Sequence, residues 1–172
     1  MKTNSSFRSQ SFTRRKFLRA AAVAGTGISI VPRHVLGGAG NVPPSEKLNI
    51  AGIGIGGQGR ADLKELESQN IVALCDVDWD YAAPVFKKYP DAKRYKDFRE
   101  MLDKEKSIDA VVIATPDHIH AVASMTAIKH GKHVYCEKPL TRTVTESRLL
   151  AKAAAEAKVA TQMGNQGMAF EG

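Results

Sequence analysis

Short apolar runs alternate with amphipathic stretches along most of this chain. The runs predict strands at residues 48–53, 71–75, 110–114, 133–136 and 159–163, with a weaker strand near 93–95. Between them, apolar residues recur every three or four positions, as on one face of a helix: Leu63 and Leu66; Phe98, Met101 and Leu102; Ile119 and Val122; Leu150, Ala154 and Ala157. Apolar strands separated by helices are typical of a parallel sheet covered on both faces. The pattern therefore predicts an α/β fold with a doubly wound parallel sheet.

The first 40 residues do not follow this pattern. Residues 1–12 are polar without a hydrophobic period, residues 13–19 are mostly basic, and residues 20–31 are apolar. A basic region followed by a short apolar region is typical of an export signal. As a helix the apolar run would extend about 18 Å, well short of a hydrocarbon core of roughly 30 Å, so we expect no stable membrane anchor. We interpret residues 1–40 as a signal peptide and linker, and residues 41–172 as one domain.

The basic region has a specific order. Residues 13–19 read Thr-Arg-Arg-Lys-Phe-Leu-Arg, which resembles the twin-arginine export signal Ser/Thr-Arg-Arg-x-Phe-Leu-Lys in all but its last position. The resemblance implies a folded, cofactor-loaded protein carried by the twin-arginine translocase to the periplasm. We expect cleavage between Arg33 and Val42, although no Ala-x-Ala marks a site there. A basic amphipathic helix on the cytoplasmic face of the membrane is the alternative.

The net charge of +7 belongs to the same N-terminal segment. Residues 1–40 hold seven of the 25 Lys and Arg residues and no Asp or Glu, so residues 41–172 carry 18 basic and 18 acidic residues. A nucleic-acid-binding domain needs a surplus of basic side chains on one face, so we expect no nucleic-acid partner. The apolar share of 43% and the charged share of 25% indicate a globular domain rather than a disordered chain.

A glycine-rich segment follows the first predicted strand and precedes a helix that we place from about residue 60. Residues 54–59 read Gly-Ile-Gly-Gly-Gln-Gly, which fits the G-x-G-x-x-G pattern, and Asp76 ends the second strand 22 residues after Gly54. In that setting the glycines allow a tight turn and close approach of a pyrophosphate to backbone N–H groups at a helix start. An ordinary flexible turn and an S-adenosylmethionine site are the alternatives. The candidate cofactor-binding residues are Gly54, Gly56, Gly57, Gln58, Gly59 and Asp76.

Asp76 also bears on the choice of cofactor. A carboxylate there would accept hydrogen bonds from adenosine ribose hydroxyls, at about 1.5–3 kcal/mol each. It would repel a 2′-phosphate by up to about 4 kcal/mol for unit charges about 4 Å apart. Residues 77–80 contain no Arg or Lys that could offset this repulsion. The sequence therefore predicts NAD, with NADP less favoured.

Two further polar segments follow the fourth and fifth predicted strands. Residues 115–120 read Thr-Pro-Asp-His-Ile-His, and residues 137–139 read Glu-Lys-Pro. Taken singly, the first is an ordinary helix start and the second an ordinary solvated ion pair. The carboxyl ends of parallel strands meet at the edge of the sheet where ligands bind, so we expect both segments to join the glycine turn there.

Together these segments resemble the N-terminal domain of the Gfo/Idh/MocA oxidoreductase family. The resemblance spans residue 47 to about residue 165, and its most specific part is residues 131–140, Gly-Lys-His-Val-Tyr-Cys-Glu-Lys-Pro-Leu. It implies a Rossmann fold and a catalytic lysine, Lys138, that points at the nicotinamide and the substrate hydroxyl. It also implies that Pro139 follows a cis peptide bond. The cofactor contacts that it implies are Thr115, Pro116, His120 and Glu137.

The chain departs from the family pattern at two places. Asp117 stands where the family often has Asn, a change of small consequence if that contact is through the backbone. Residues 164–167 read Gly-Asn-Gln-Gly where many members have an aromatic residue and an arginine. Asn165 and Gln166 are therefore candidates at the substrate edge.

The resemblance implies an NAD-dependent oxidoreductase that acts on a CH–OH group of a sugar or polyol. Family members continue into a second α/β domain that supplies substrate contacts and the usual homo-oligomer interface. We expect the 172 residues to be the N-terminal nucleotide-binding part of such an enzyme. Two alternatives remain: an NAD-dependent glycosidase of the same superfamily, and a cofactor-binding module without activity.

The cysteines indicate neither a metal site nor a disulfide. Cys75 and Cys136 each fall in an apolar run that we interpret as a buried strand. The sequence has no Cys and His cluster with metal-ligand spacing. We therefore expect free thiols and no bound metal.

Overall fold

The computed structural model describes Pro43 and residues 46–166. The predicted export signal, its cleavage region and Gly167 lie outside the described residues. Strands and helices alternate in the order β1 (Asn49–Ile53), α1 (Gln58–Glu65), β2 (Asn70–Cys75), α2 (Ala83–Lys88), β3 (Lys93–Tyr95), α3 (Phe98–Lys104), β4 (Ala110–Ile113), α4 (Asp117–Lys129), β5 (His133–Glu137), α5 (Val144–Ala157) and β6 (Thr161–Gly164).

The six strands form one parallel sheet in the order β3-β2-β1-β4-β5-β6. This is the doubly wound order of a Rossmann fold, in which the chain reverses direction across the sheet between β1 and β4. Ligands of such sheets bind beyond the carboxyl ends of the strands at that reversal. The predicted α/β fold with a doubly wound parallel sheet is confirmed.

Two apolar clusters cover the two faces of the sheet. Val111 and Ile113 of β4 belong to the cluster that α3, α4 and α5 cover, whereas Val112 belongs to the cluster that α1 and α2 cover. Successive side chains of a strand point to opposite faces, which explains this division. Both faces are buried, so the strands read in the sequence as nearly continuous apolar runs.

Two helices differ from the prediction. The sequence pattern missed α2, because its buried residues Val85 and Phe86 are adjacent and show no helical period. Val122 was predicted to lie on the buried face of α4 and is 52% exposed. The buried face of α4 is made instead by polar and small residues together with one isoleucine, namely His120, Ala123, Ser124, Ala127 and Ile128. Hydrophobic periodicity does not detect a face of that composition.

The last strand starts two residues later than predicted. Helix α5 begins with a capping box in which Thr143 and Glu146 each accept from the other's backbone N–H. It ends at Ala157. The next residue, Lys158, has a φ of 55° in the left-handed region, and the Val159 N–H donates to the Ala154 carbonyl. This turn occupies residues 158–160, so β6 begins at Thr161.

No helix in the described part of the chain is both long and apolar enough to span a bilayer.

Candidate functional site

The glycine turn joins β1 to α1 and lies against the turn that follows β4. Gly54 has a φ of +77°, and a Cβ there would lie 2.7 Å from the Thr115 nitrogen and 2.8 Å from the Ala114 carbonyl carbon. A Cβ on Gly59 would collide with the Gly54 carbonyl oxygen. Both positions therefore require glycine for close contact between the helix start and the strand ends.

The middle of the turn faces a tyrosine that the sequence analysis did not single out. A Cβ on Gly56 would collide with the ring of Tyr81, and a Cβ on Gly57 would lie 3.5 Å from its hydroxyl. Tyr81 follows β2, and its side chain is largely exposed. The absence of a side chain at residue 56 thus leaves room for an aromatic ring beside the turn.

Asp76 is held directly against the glycine turn. Its Oδ2 accepts from the N–H groups of Ile55, at 2.8 Å, and Gly56, at 3.1 Å, and its Oδ1 accepts from the Asp78 N–H at 3.0 Å. A carboxylate offers about four lone-pair positions, so these three bonds leave one for a further donor. The carboxylate is fixed in place by the backbone at the carboxyl end of β2.

A cavity of about 680 Å³ opens at the carboxyl ends of β1, β2 and β4. Its lining includes six of the predicted cofactor-binding residues: Gly54, Gly56, Gly57, Asp76, Thr115 and Pro116. Phe98 and Ile119 add apolar walls, so the cavity offers an apolar slot bordered by backbone N–H groups and by the carboxylates of Asp76 and Asp97. This combination is typical of a small-molecule site.

Two cations also line this cavity and were missed from the sequence. Lys96 and Arg99 follow β3, which lies beside β2 in the sheet, and so approach the surroundings of Asp76 from a distant part of the chain. Arg99 is paired with Asp97, with Nε 2.9 Å from Oδ1, and the Lys96 Nζ lies 5.4 Å from the centre of the Trp79 ring. They lie here because β3 is next to β2 in the sheet, and the local sequence does not show which strands are neighbours.

A second cavity, of about 260 Å³, lies at the carboxyl ends of β4 and β5. Predicted site residues that line it are Gln58, Thr115, His120, Glu137 and Lys138, and Gln166 joins them. Thr115 lines both cavities. The predicted residues thus lie along one edge of the sheet, with the exception of Gly59, which packs beneath the turn.

Glu137 is buried and held by side chains on either side. Its Oε1 accepts from the Tyr135 hydroxyl at 3.2 Å and from the Gln166 amide at 2.5 Å. The Tyr135 and Glu137 side chains lie over Gly164, where a Cβ would come 2.5 Å from the Tyr135 hydroxyl. The sequence analysis singled out Gln166 only as a candidate at the substrate edge, and the structure places its amide on Glu137. It missed Tyr135, although Tyr135 and Glu137 share a strand face two residues apart.

Asp62 of α1 carries a second carboxyl group. It lies close enough to Glu137 for the Glu137 charge to affect the ionisation of Asp62. Burial raises the pKa of Asp62, the hydrogen bond from Gln58 opposes this, and the Glu137 carboxylate adds to the rise. Asp62 Oδ2 is buried without a hydrogen-bond partner among the described residues. Burial, followed by the charges of Glu137 and Asp62, raises the pKa of Tyr135 to about 12, so its hydroxyl stays a donor to Glu137.

The segment after β5 carries the predicted catalytic lysine. The Lys138–Pro139 peptide bond is cis, as the resemblance implied. The Lys138 N–H donates to the Gly164 carbonyl at 3.1 Å, which ties the segment to β6, and the Lys138 side chain is exposed beside the second cavity. The geometry leaves the amine free to meet a group that enters from the open side.

The two cysteines are free and buried, in β2 and β5. Burial raises the pKa of Cys75 to about 12 and that of Cys136 to about 11. Both thiols therefore stay protonated at neutral pH and are poor nucleophiles. Among the residues that the structure describes, no group of three or more His, Cys, Asp or Glu side chains is placed to hold a metal ion.

The residues fit a dinucleotide on grounds beyond the glycine pattern. Thr115 Oγ1, between the two cavities, is buried and has no hydrogen-bond partner among the described residues. Buried polar atoms are nearly always paired, so an unpaired hydroxyl here is suited to a polar ligand. Gly54 and Gly59 provide the tight turn and the close packing of α1 against the strand ends that place a helix start beside the cavity.

Known proteins are similar to this chain in sequence. An inositol 2-dehydrogenase from Salmonella typhimurium is 30% identical over 110 residues, which cover 62% of this chain and 32% of that protein. A glycosyl hydrolase family 109 protein from Saccharopolyspora erythraea is 29% identical over an alignment of 165 residues that covers 81% of this chain and 36% of that protein. The chain spans about a third of the length of these relatives.

A solved structure and a family model also match this chain. The crystal structure of myo-inositol 2-dehydrogenase from Lactobacillus plantarum matches with a TM-score of 0.63 and 28% identity, over 69% of this chain and 36% of that one. The GFO_IDH_MocA model, described as an oxidoreductase family with an NAD-binding Rossmann fold, matches residues 47–165. This match covers more than half of the chain and includes the predicted catalytic lysine and every predicted cofactor-binding residue, so the chain belongs to the Gfo/Idh/MocA oxidoreductase family.

Proposed function

We propose that the described domain binds NAD along the carboxyl edge of its sheet. The observation that carries the proposal is the cavity of about 680 Å³ bounded by the glycine turn and Asp76 at the strand reversal. The adenosine half lies in this cavity with its ribose on Asp76, and the pyrophosphate lies on the N–H groups at the start of α1. The nicotinamide half lies in the second cavity, beside Glu137 and Lys138.

In the whole protein, we propose oxidation of a CH–OH group of a sugar or polyol. Bound NAD⁺ would supply the acceptor for the hydride that leaves the carbinol carbon. The Lys138 amine, acting in its neutral form, accepts the proton that the hydroxyl loses, and Glu137, fixed by Tyr135 and Gln166, orients the nicotinamide ribose. The inositol 2-dehydrogenase relatives support this substrate class. A second, substrate-binding domain and homo-oligomerisation are part of the same proposal, with residues 41–172 as the nucleotide-binding domain.

Replacement of Lys138 tests its role. In the whole protein, Lys138→Ala is expected to abolish turnover while the NAD dissociation constant changes by less than about twofold. Lys129→Ala, on the exposed end of α4, is the matched control and should leave both quantities unchanged. Retained turnover in Lys138→Ala would remove this lysine from the mechanism.

NAD is proposed over NADP because of the charges around Asp76. The Asp76 carboxylate repels a 2′-phosphate, and the Arg99 guanidinium is already paired with Asp97. Lys96 is the remaining Lys or Arg in the lining of that cavity, and it lies against the Trp79 ring. One lysine on a solvent-exposed rim offsets only part of that repulsion.

Fluorescence titration of the 172-residue chain with NADH and NADPH tests cofactor binding and preference. We expect NADH to bind at least about tenfold more tightly, which corresponds to about 1.4 kcal/mol. Lys96→Ala should widen the preference by weakening NADPH alone. Absence of NADH binding would refute the proposed function, and tighter NADPH binding would refute the preference.

An NAD-dependent glycosidase is the second candidate, and one observation favours it. The glycosyl hydrolase family 109 relative aligns over 81% of this chain, a larger share than the inositol dehydrogenase does. Net NADH formation from a free sugar or polyol would indicate a dehydrogenase. Cleavage of an aryl glycoside without net NADH formation would indicate a glycosidase. If the whole protein binds NADH and supports neither reaction, it is a cofactor-binding module without activity.

Export is a separate proposal that rests on the order of residues 13–19. We propose that the twin-arginine translocase carries the protein to the periplasm, because this order matches the translocase signal in all but one position. Replacing Arg14 and Arg15 together with Lys should leave the protein in the cytoplasmic fraction of the cell. Unchanged export of that variant would contradict the proposal.

A further inference from the structure

His120 lies in the first part of α4 with only 1% of its surface exposed. Its ring lies between the turn after β4 and the segment after β5. Nε2 is 2.8 Å from the Thr115 carbonyl oxygen, and Nδ1 is 2.6 Å from the Pro139 carbonyl oxygen. Both ring nitrogens are thus occupied by backbone atoms of the two segments that enclose the second cavity.

The two carbonyl partners determine which ring nitrogens of His120 must bear a hydrogen. A carbonyl oxygen only accepts hydrogen bonds, so each contact is a hydrogen bond only if that ring nitrogen bears a hydrogen. A neutral imidazole has one N–H and would turn a lone pair towards the second carbonyl at hydrogen-bond distance. Because burial excludes water as an alternative partner, both contacts are satisfied only by a doubly protonated ring.

The charges around the ring are mixed. Asp117 from α4 and Glu137 from the end of β5 line the same cavity and favour a cation, whereas Lys138 and the amino end of α4 oppose it. Helix α1 contributes the uncharged Gln58 to that cavity, with Asp62 beyond it. A buried cation needs hydrogen-bond partners, and the two carbonyl oxygens provide one for each ring nitrogen.

We propose that His120, protonated on both ring nitrogens, is a positioning residue that ties the Thr115 turn to the Glu137–Lys138–Pro139 segment. The second half of the inference rests on the proposed function: by fixing these two segments, His120 holds the nicotinamide half of the NAD site in its binding shape. It acts on the cofactor through the segments rather than through a hydrogen bond of its own.

The protonation state is tested without any cofactor. Nitrogen-15 NMR of the histidine rings in the 172-residue chain at near-neutral pH should show a bound hydrogen on both nitrogens of His120. His133 is the internal reference, because its Nδ1 accepts from the Ala160 N–H at 2.9 Å and so carries no hydrogen. One protonated and one unprotonated nitrogen in His120 would overturn the proposal.

The positioning role is tested by comparing two ligands. In His120→Phe, NADH binding should weaken by at least about tenfold, whereas AMP, which reaches only the cavity beside Asp76, should bind within about twofold of the original chain. His133→Phe, at the opposite edge of the sheet, is the matched control and should change neither affinity. Unchanged NADH affinity in His120→Phe, or equal loss of AMP and NADH affinity, would overturn the role.

The same experiments separate this inference from the proposed function. If the unaltered chain binds neither AMP nor NADH, the proposed function fails, and the NMR measurement still decides the protonation of His120. If the unaltered chain binds both, the ligand comparison decides whether His120 positions the nicotinamide half.

Discussion

Gly54 and Gly131 have the same unusual backbone conformation in different surroundings. Their φ angles are +77° and +70°, but a Cβ would meet backbone atoms at Gly54 and nothing within 4 Å at Gly131. Alanine at Gly131 is expected to cost only the left-handed strain, about 1–2 kcal/mol. Alanine at Gly54 adds a backbone clash and should cost about 3 kcal/mol or more, with loss of NADH binding. Urea unfolding and NADH titration of both variants measure the difference.

The comparison has a clear contrary outcome. Gly131 lies at the end of α4 next to β5, away from both cavities, so Gly131→Ala should keep its NADH affinity. Equal destabilisation of the two variants would show that contact between the glycine turn and residues 114–115 does not contribute to the stability of the fold.

The partly buried carboxyl of Asp62 predicts a dependence of stability on pH. Burial and the Glu137 carboxylate raise its pKa above 3.8 in the folded state, so the ionised form is destabilising. Below pH 3.8 Asp62 is protonated and the folded state carries no penalty from its charge. The folded state loses stability as the pH rises through the folded pKa and Asp62 ionises. Asp62→Asn should therefore be more stable than the original chain at neutral pH, by less than about 1 kcal/mol because water screens the group. The difference should disappear near pH 3.

Urea unfolding at several pH values checks this expectation. Asp91→Asn, at an exposed position outside both cavities, is the control and should change stability equally at each pH. A lower stability of Asp62→Asn at neutral pH would show that the Asp62 carboxylate is favourable where it lies, contrary to the direction of its pKa shift.

At the level of elements, the capping box makes α5 the helix with the best-defined start. Thr143→Ala removes one half of the box and should cost about 1 kcal/mol. The neighbouring Thr145→Ala is the control, because Thr145 is exposed inside the helix and its replacement should change stability by less than about 0.5 kcal/mol. Neither change should affect NADH binding. Equal unfolding midpoints in urea would show that the box does not hold this helix.

Elements with a regular pattern of apolar residues were predictable, and elements whose burial depends on tertiary partners were not. The central strands were located within about two residues because both of their faces are apolar. Helix α2 was missed because Val85 and Phe86 are adjacent, and the buried face of α4 was misjudged because it contains His120 and Ser124. Local sequence shows the hydrophobic period of a helix or strand. It does not show the chemistry of the surface against which that element packs.

The residues of the candidate site likewise divide into those that were predictable from the sequence and those that were not. The glycine turn, Asp76 and Lys138 were predicted because each follows a strand end, where topology alone brings residues together. Tyr135 and Asp62 were missed because their role depends on side chains that converge on Glu137 from β5 and α1. The same holds for Lys96, which reaches the first cavity only because β3 lies beside β2.

For the whole molecule, binding of NADH to the folded domain alone must raise its stability. A ligand at about 100 times its dissociation constant adds about 2.7 kcal/mol, which for a domain of this size is a rise of roughly 10 °C in the thermal midpoint. The rise should grow with the logarithm of the NADH concentration, and it should be smaller for NADPH and absent in Gly54→Ala. AMP should give part of the rise, because it occupies only the cavity beside Asp76. A midpoint that does not depend on NADH concentration would contradict binding at this edge of the sheet.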